Sequence, residues 1–283
     1  MKKTLLTLAL AGLIGLGACS NKQKFEETKE ITIKPTTEMK IYATGKQDYV
    51  STEEIAKLKG TSKINEEYLQ SFMETSEFFN NYFNLSQIIF TELKHKQHTP
   101  RIEKNYQDTT LTEHFSQVYD LSLSQSQRIY LMLKSLKNKD FLNRIGKIIE
   151  EDIKDKYSEH GGIITINPNL SLELRTIQSE DAKDKIEENN SFYNLPDLEN
   201  FTPRVAKFHL HAMSYDEFKF AGPGSQDIII TNAEREIIGK TNEFIITSLE
   251  KGRFNIDYFG GDKLIHKQVR VIDLGNYEYS LQK

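Results

Sequence analysis

A single cysteine, Cys19, and no tryptophan mark this chain of 283 residues. One thiol makes no intrachain disulfide, so the folded part has to hold its core by packing alone. Without tryptophan, and despite 13 tyrosines, a carbohydrate-binding surface built on stacked rings is disfavoured. An excess of charge of one sign is also missing. Lys and Arg number 37 against 41 Asp and Glu, for a formal net charge of −4, and this excludes the basic footprint expected of a nucleic-acid-binding protein. Apart from one run near the N-terminus, no stretch is apolar enough to span a bilayer. Internal repeats and low-complexity tracts are absent as well.

The N-terminal run has the layout of a secretory signal. Lys2 and Lys3 form a basic start, Leu5 to Leu16 an apolar segment, and Leu16-Gly17-Ala18 supply small residues before Cys19. The Leu-Gly-Ala-Cys ending resembles the lipobox of bacterial lipoproteins. That resemblance implies removal of residues 1–18, diacylglycerol on the Cys19 thiol, and a chain held on a membrane outside the cytoplasm by several acyl chains. Ser20 follows the cysteine, so the Asp that signals inner-membrane retention is not there. The expected location is the cell envelope, as an outer-membrane lipoprotein facing either the periplasm or the surface.

Residues 20 to about 40 are polar and rich in Lys, Glu and Thr, which predicts a flexible stretch; the tether is placed at 19–50. From Ser51 to about Lys96 apolar residues such as Ile55, Leu58, Leu69, Phe72, Phe79 and Phe83 recur at helical spacing. The aromatic cluster Phe78, Phe79, Tyr82 and Phe83 reads as helical core. Leu121–Leu136 and Phe141–Tyr157 are two further helices, with Asp140 as a cap of the second. At Gly161-Gly162 the pattern changes. Ile163–Ile166, Leu170–Ile177 and Val205–His211 read as strands and Asp181–Pro196 as a loop. Gln226–Gly239 reads as a helix with Ser225 as its N-cap. Phe244–Leu249, Arg253–Phe259 and Leu264–Leu274 complete the reading as strands joined by turns at Lys251-Gly252 and Gly260-Gly261. The expected class is α/β: a signal at 1–18, a tether at 19–50, a helical region at 51–140, and a mixed β-sheet domain flanked by helices at 141–283.

Four residues of the second half suggest chemistry. His209 and His211 lie two apart, which on a strand puts both imidazoles on one face and Ala206, Phe208 and Leu210 on the other. Paired imidazoles suit a first-row metal, and catalytic zinc takes three protein ligands and leaves one position open. Asp227, in the first turn of the next helix after Gly222-Pro223-Gly224, is placed to be the third ligand. Glu159, just before the Gly161-Gly162 strand, is placed to act as a general base. Each residue also has a plain reading: an exposed histidine pair, an aspartate stationed for the helix dipole, and a solvated charge in the run Glu150–His160. Among the remaining histidines, His95 and His98 read as a solvated helix face, and His114, His160 and His266 as lone residues without a role.

The order Glu-x-x-Gly-Ile-Ile at 159–164, His-x-His at 209–211 and Gly-Pro-x-x-x-Asp at 222–227 resembles the JAMM metalloprotease superfamily, also called MPN-plus or JAB-domain proteins. The resemblance covers about Phe141 to Leu274. It implies a mixed sheet flanked by helices, zinc on His209, His211 and Asp227, Glu159 as general base, and cleavage of amide or isopeptide bonds. Ala212 stands where the family has Pro, and Gly224 where it has Ser. Ser225, one residue on, is the nearest hydroxyl to replace that serine, although one position at a helix start turns a side chain by about 100°. Loss of one oxyanion donor costs about a hundredfold or more in rate, so the pattern predicts a metal site more firmly than fast turnover. Outside the cytoplasm, the expected substrates are peptides, envelope proteins or peptidoglycan stems. The competing expectation is a non-catalytic envelope lipoprotein that serves as an interaction module.

Overall fold

The computed structural model describes residues 38–43, 46–51, 67, 69–70, 82–98, 117–154, 160–167, 169–177, 204–211, 221–264 and 269–281. The chain forms two units, Met1–Leu58 and Lys59–Lys283. Within the first, β1 (Glu38–Ala43) and β2 (Lys46–Ser51) pair antiparallel with Ala43 opposite Lys46. This hairpin lies in the stretch expected to be tether. Ile41, Tyr42, Tyr49 and Val50 favour strand, and only Thr44-Gly45 separates the two runs, the spacing of a tight hairpin.

The second unit is mixed α/β. Among the described residues the helices with defined ends are α1 (Tyr82–Lys94), α2 (Leu123–Ser135), α3 (Lys139–Lys154) and α4 (Ser225–Ile238), with a 3-10 turn at Gln117–Asp120 before α2; Glu67, Leu69 and Gln70 are helical as well. Its strands are β3 (Gly161–Ile166), β4 (Leu172–Ile177), β5 (Arg204–His211), β6 (Lys240–Glu250), β7 (Arg253–Asp262) and β8 (Arg270–Glu278). They form a six-stranded sheet in the order β4-β3-β5-β6-β7-β8. Every neighbouring pair is antiparallel except β5 and β6, which run parallel. A parallel pair cannot be joined by a hairpin and needs a crossover; α4 lies in that crossover. Among the described residues no helix is long and apolar enough to cross a membrane.

Local chemistry sets the element ends. Ser122 and Gln125 form a reciprocal capping box at α2, the Ser122 Oγ taking the Gln125 N–H at 3.3 Å and the Gln125 Oε1 taking the Ser122 N–H at 3.0 Å. At α3 the cap is Asn138 rather than Asp140: its Oδ1 accepts the Asp140 N–H at 2.8 Å and the Phe141 N–H at 3.4 Å. Asp140 falls inside the first turn. Helix α4 ends at Gly239, whose φ of 87° lies in the left-handed region, and its N–H closes on the Arg235 carbonyl at 2.8 Å.

Gly260-Gly261 is not a turn, for both residues pair within β7 with Asn242 and Thr241 of β6. A Cβ on Gly260 would lie 2.5 Å from the Thr241 carbonyl oxygen, so the glycine here permits a close strand approach. β8 starts at Arg270 rather than at Leu264, which is 95% exposed.

One large apolar core joins α1, α2 and α3 to one face of the sheet. Ile89, Leu93, Ile129, Met132, Ile145 and Ile149 from α1 to α3 pack in one cluster with Ile164, Phe208, Phe244, Ile256 and Ile272. A much smaller cluster, Ile245, Phe259 and Val271, occupies the opposite face. That second face also carries His209 and His211.

Candidate metal centre

Alternation along β5 divides its side chains as the sequence implied. Ala206, Phe208 and Leu210 enter the large core, and Lys207, His209 and His211 take the other face. The chain reaches this point beside β3, where Gly161 pairs with His209 and the His160 carbonyl accepts the Leu210 N–H at 2.9 Å. The His160 N–H in turn donates to Asp152 Oδ1 at 2.7 Å. His160, read as a lone residue, therefore ties α3 to the start of the sheet through its backbone. Glu159 lies outside the described residues.

After β5 the chain returns through Ala221-Gly222-Pro223-Gly224. Gly222 adopts a φ of 103°, and its N–H meets Thr247 Oγ1 at 3.3 Å. This turn brings the start of α4 to the carboxyl end of β5, where His211 lies. The helix cap is Gly224, not Ser225, and Ser225 is the first helical residue; its side chain lies outside the described set. Asp227 reaches back to take the Gly224 N–H on Oδ2 at 2.6 Å, the second half of a capping box.

Three donors converge here. His209 Nε2 and His211 Nε2 are 3.2 Å apart, Asp227 Oδ1 is 3.6 Å from His209 Nε2, and Asp227 Oδ2 is 3.4 Å from His211 Nε2. Among the described residues these three form the one group of His, Cys, Asp or Glu able to hold a metal ion. Bonds of about 2.0–2.1 Å in a tetrahedral site set neighbouring donors roughly 3.3 Å apart; the two ring nitrogens, and each ring nitrogen with the Asp227 oxygen paired to it above, lie near that spacing, and one ligand atom from each residue falls within 4.8 Å of the others. The donor chemistry fits too, with two imidazoles and one carboxylate.

The site continues inward to residues the sequence reading did not select. Glu243 on β6 lies within 2.7 Å of His209 Nδ1 through Oε1. Its Oε2 accepts the Thr231 hydroxyl at 3.4 Å and lies 3.7 Å from Lys207 Nζ. Lys207 donates to both oxygens of Glu234, at 2.7 and 2.6 Å. Phe259 meets the His209 ring edge-on, with centroids 6.3 Å apart. A signal for Glu243 was present, since a charge next to the apolar run Phe244-Ile245-Ile246 in a strand is rarely tolerated without a partner.

These charges support one another. Burial pushes the Asp227 carboxyl up, but hydrogen bonds from His209 and His211, with their charge, hold it well below the usual carboxylate range. Burial acts likewise on Glu243, where Lys207 and then His209 reverse it. Burial would lower the Lys207 ammonium, yet Glu234 and Glu243 hold it above its ordinary value.

The other histidines separate. His95 is exposed. His98 is not part of a solvated face: its side chain is 7% exposed, with Nδ1 at 3.3 Å from Asp273 Oδ1 and Nε2 at 3.0 Å from the Leu93 carbonyl. The helical reading failed there because α1 stops at Lys94 and the chain then runs along β8, where the Asn276 N–H donates to the Gln97 carbonyl at 2.7 Å. His114 and His266, like Ala212, lie outside the described residues.

No family model, no curated protein and no solved structure matches the chain.

Proposed function

We propose that this protein is a membrane-anchored lipoprotein, acylated on Cys19, whose α/β unit is a zinc-dependent amide hydrolase of the JAMM kind. The observation that carries the reading is the convergence of His209 Nε2 and His211 Nε2, 3.2 Å apart, on the Asp227 carboxylate, whose two oxygens lie 3.6 and 3.4 Å from them. A mixed sheet flanked by helices, with the pair on a strand and Asp227 at the start of the following helix, agrees with what the resemblance implies. Zinc bound there supplies a Lewis acid that polarises an amide carbonyl and makes a nucleophile of water near neutral pH.

The chain's own residues do the rest. His209, His211 and Asp227 would hold the ion. Glu159 takes the proton of the attacking water and passes it to the leaving amine. The substrates are peptides, envelope proteins or peptidoglycan stems.

Metal content of the purified protein in detergent, after dialysis, tests the site. About one zinc per chain, lost in the His209→Ala/His211→Ala double variant, is the expected result; no zinc in the wild type sinks the proposal. Glu159→Gln should keep the zinc and lose hydrolysis of amide substrates. A second reading, a metal-bearing interaction module without turnover, is favoured by Gly224 at the family's serine position; zinc bound with no hydrolysis across a peptide library would select it.

A further inference from the structure

Resting on the metal site proposed above, we infer that Glu243 is its positioning residue: it accepts a hydrogen bond from the Nδ1–H of His209 and so leaves Nε2 as the nitrogen that faces His211 and Asp227. An imidazole that ligates through one nitrogen leaves the other as an N–H, and the acceptor of that N–H sets tautomer and ring orientation. Here the acceptor is Glu243 Oε1, 2.7 Å from Nδ1. An ionised carboxylate accepts only, so the proton between the two belongs to the histidine.

The distances distinguish this role from that of an ordinary buried ion pair. If Glu243 were present to neutralise Lys207, its shortest contact would be to that ammonium. Instead Lys207 is held by Glu234 at 2.6 and 2.7 Å, and Glu243 stands 3.7 Å away. Its closest partner is the ring. The second oxygen is steadied by the Thr231 hydroxyl at 3.4 Å, so the carboxylate is fixed from β5 and from α4. The parallel register places Glu243 beside Lys207 and Ile245 beside His209, and His209 is 5% exposed. A buried ring with one nitrogen held this way has a single direction left for the other.

The test has two independent readouts on the full chain in detergent. The first is imidazole nitrogen NMR of the wild type in chelator, with His209 assigned from a His209→Gln spectrum. Protonation of its Nδ1 is expected, and protonation of Nε2 instead overturns the inference. The second is zinc affinity by competition with a chromophoric chelator. Glu243→Ala is expected to weaken zinc about 10- to 100-fold, and Glu243→Gln, which keeps an acceptor oxygen, less than Glu243→Ala. Unchanged affinity in Glu243→Ala overturns the role. If Glu243→Ala does not fold, judged by thermal unfolding in chelator, the wild-type spectrum and Glu243→Gln still decide it. A wild type that binds no zinc ends the metal reading, while the NMR result separately settles whether Glu243 orients the ring.

Discussion

On one face of the six-stranded sheet, Phe208, Phe244, Ile256 and Ile272 pack with α1, α2 and α3; on the other stand His209, Glu243, Asp257 and Asp273. Both faces are buried, and Phe244 and Asp257 are each 0% exposed. What differs is the origin of the stability. On the helical face each apolar side chain removed from water contributes about 1.5–3 kcal/mol without needing a specific partner. On the polar face every group has to recover its lost hydration through a bond of defined geometry. The second kind of packing costs more, and each of its groups has to be matched to a particular partner.

Four measurements break or sharpen this contrast. The largest effect is expected from Phe244→Ala, which empties a fully buried position whose ring meets Tyr258 at 5.3 Å; about 3–5 kcal/mol should be lost in denaturant unfolding. A loss below about 1 kcal/mol, the cost of one buried methylene, would deny the helical face its role. Next comes the ion: zinc at about 100 times its Kd should add about 2.7 kcal/mol to the wild type and nothing to His209→Ala/His211→Ala. Equal stabilisation of both would place zinc elsewhere.

His98→Ala tests the far end of the polar face. It removes the ring that links the Leu93 carbonyl to Asp273, and about 1–3 kcal/mol should be lost by leaving these buried groups short of a partner; zinc affinity should not change. The smallest effect belongs to Ser122→Ala, remote from both faces' centres, which deletes one side of the α2 capping box and should cost about 1 kcal/mol. Thermal unfolding in chelator reads both, and a His98→Ala loss smaller than that of Ser122→Ala would show the His98 contact to be incidental.

Much of the second unit is legible in the sequence, because period and punctuation are local. The three-to-four spacing from Leu121 to Tyr157 marks α2 and α3, and β5 shows in its alternation. His209, His211 and Asp227 were also within reach, since a strand of period two and a helix start after Gly-Pro-x-x-x determine where each side chain points. Errors arose where two local signals compete: Asn138 and Asp140 are both capping residues, and Gly260-Gly261 suits a turn as well as a tight strand contact. Choosing between them takes the neighbouring strand or the preceding turn.

By itself, then, the sequence determined most described elements of the second unit, their order and the face that carries the histidines, because these depend on residues at most a few positions apart; the β1–β2 hairpin is not among them. Tertiary structure alone decided the partners: Glu243 for His209, Glu234 for Lys207, Asp273 for His98 and the parallel neighbour of β5. Those pairings are made between segments far apart in the chain. They exist only once strand order and register bring two backbones side by side, and no local propensity encodes a register.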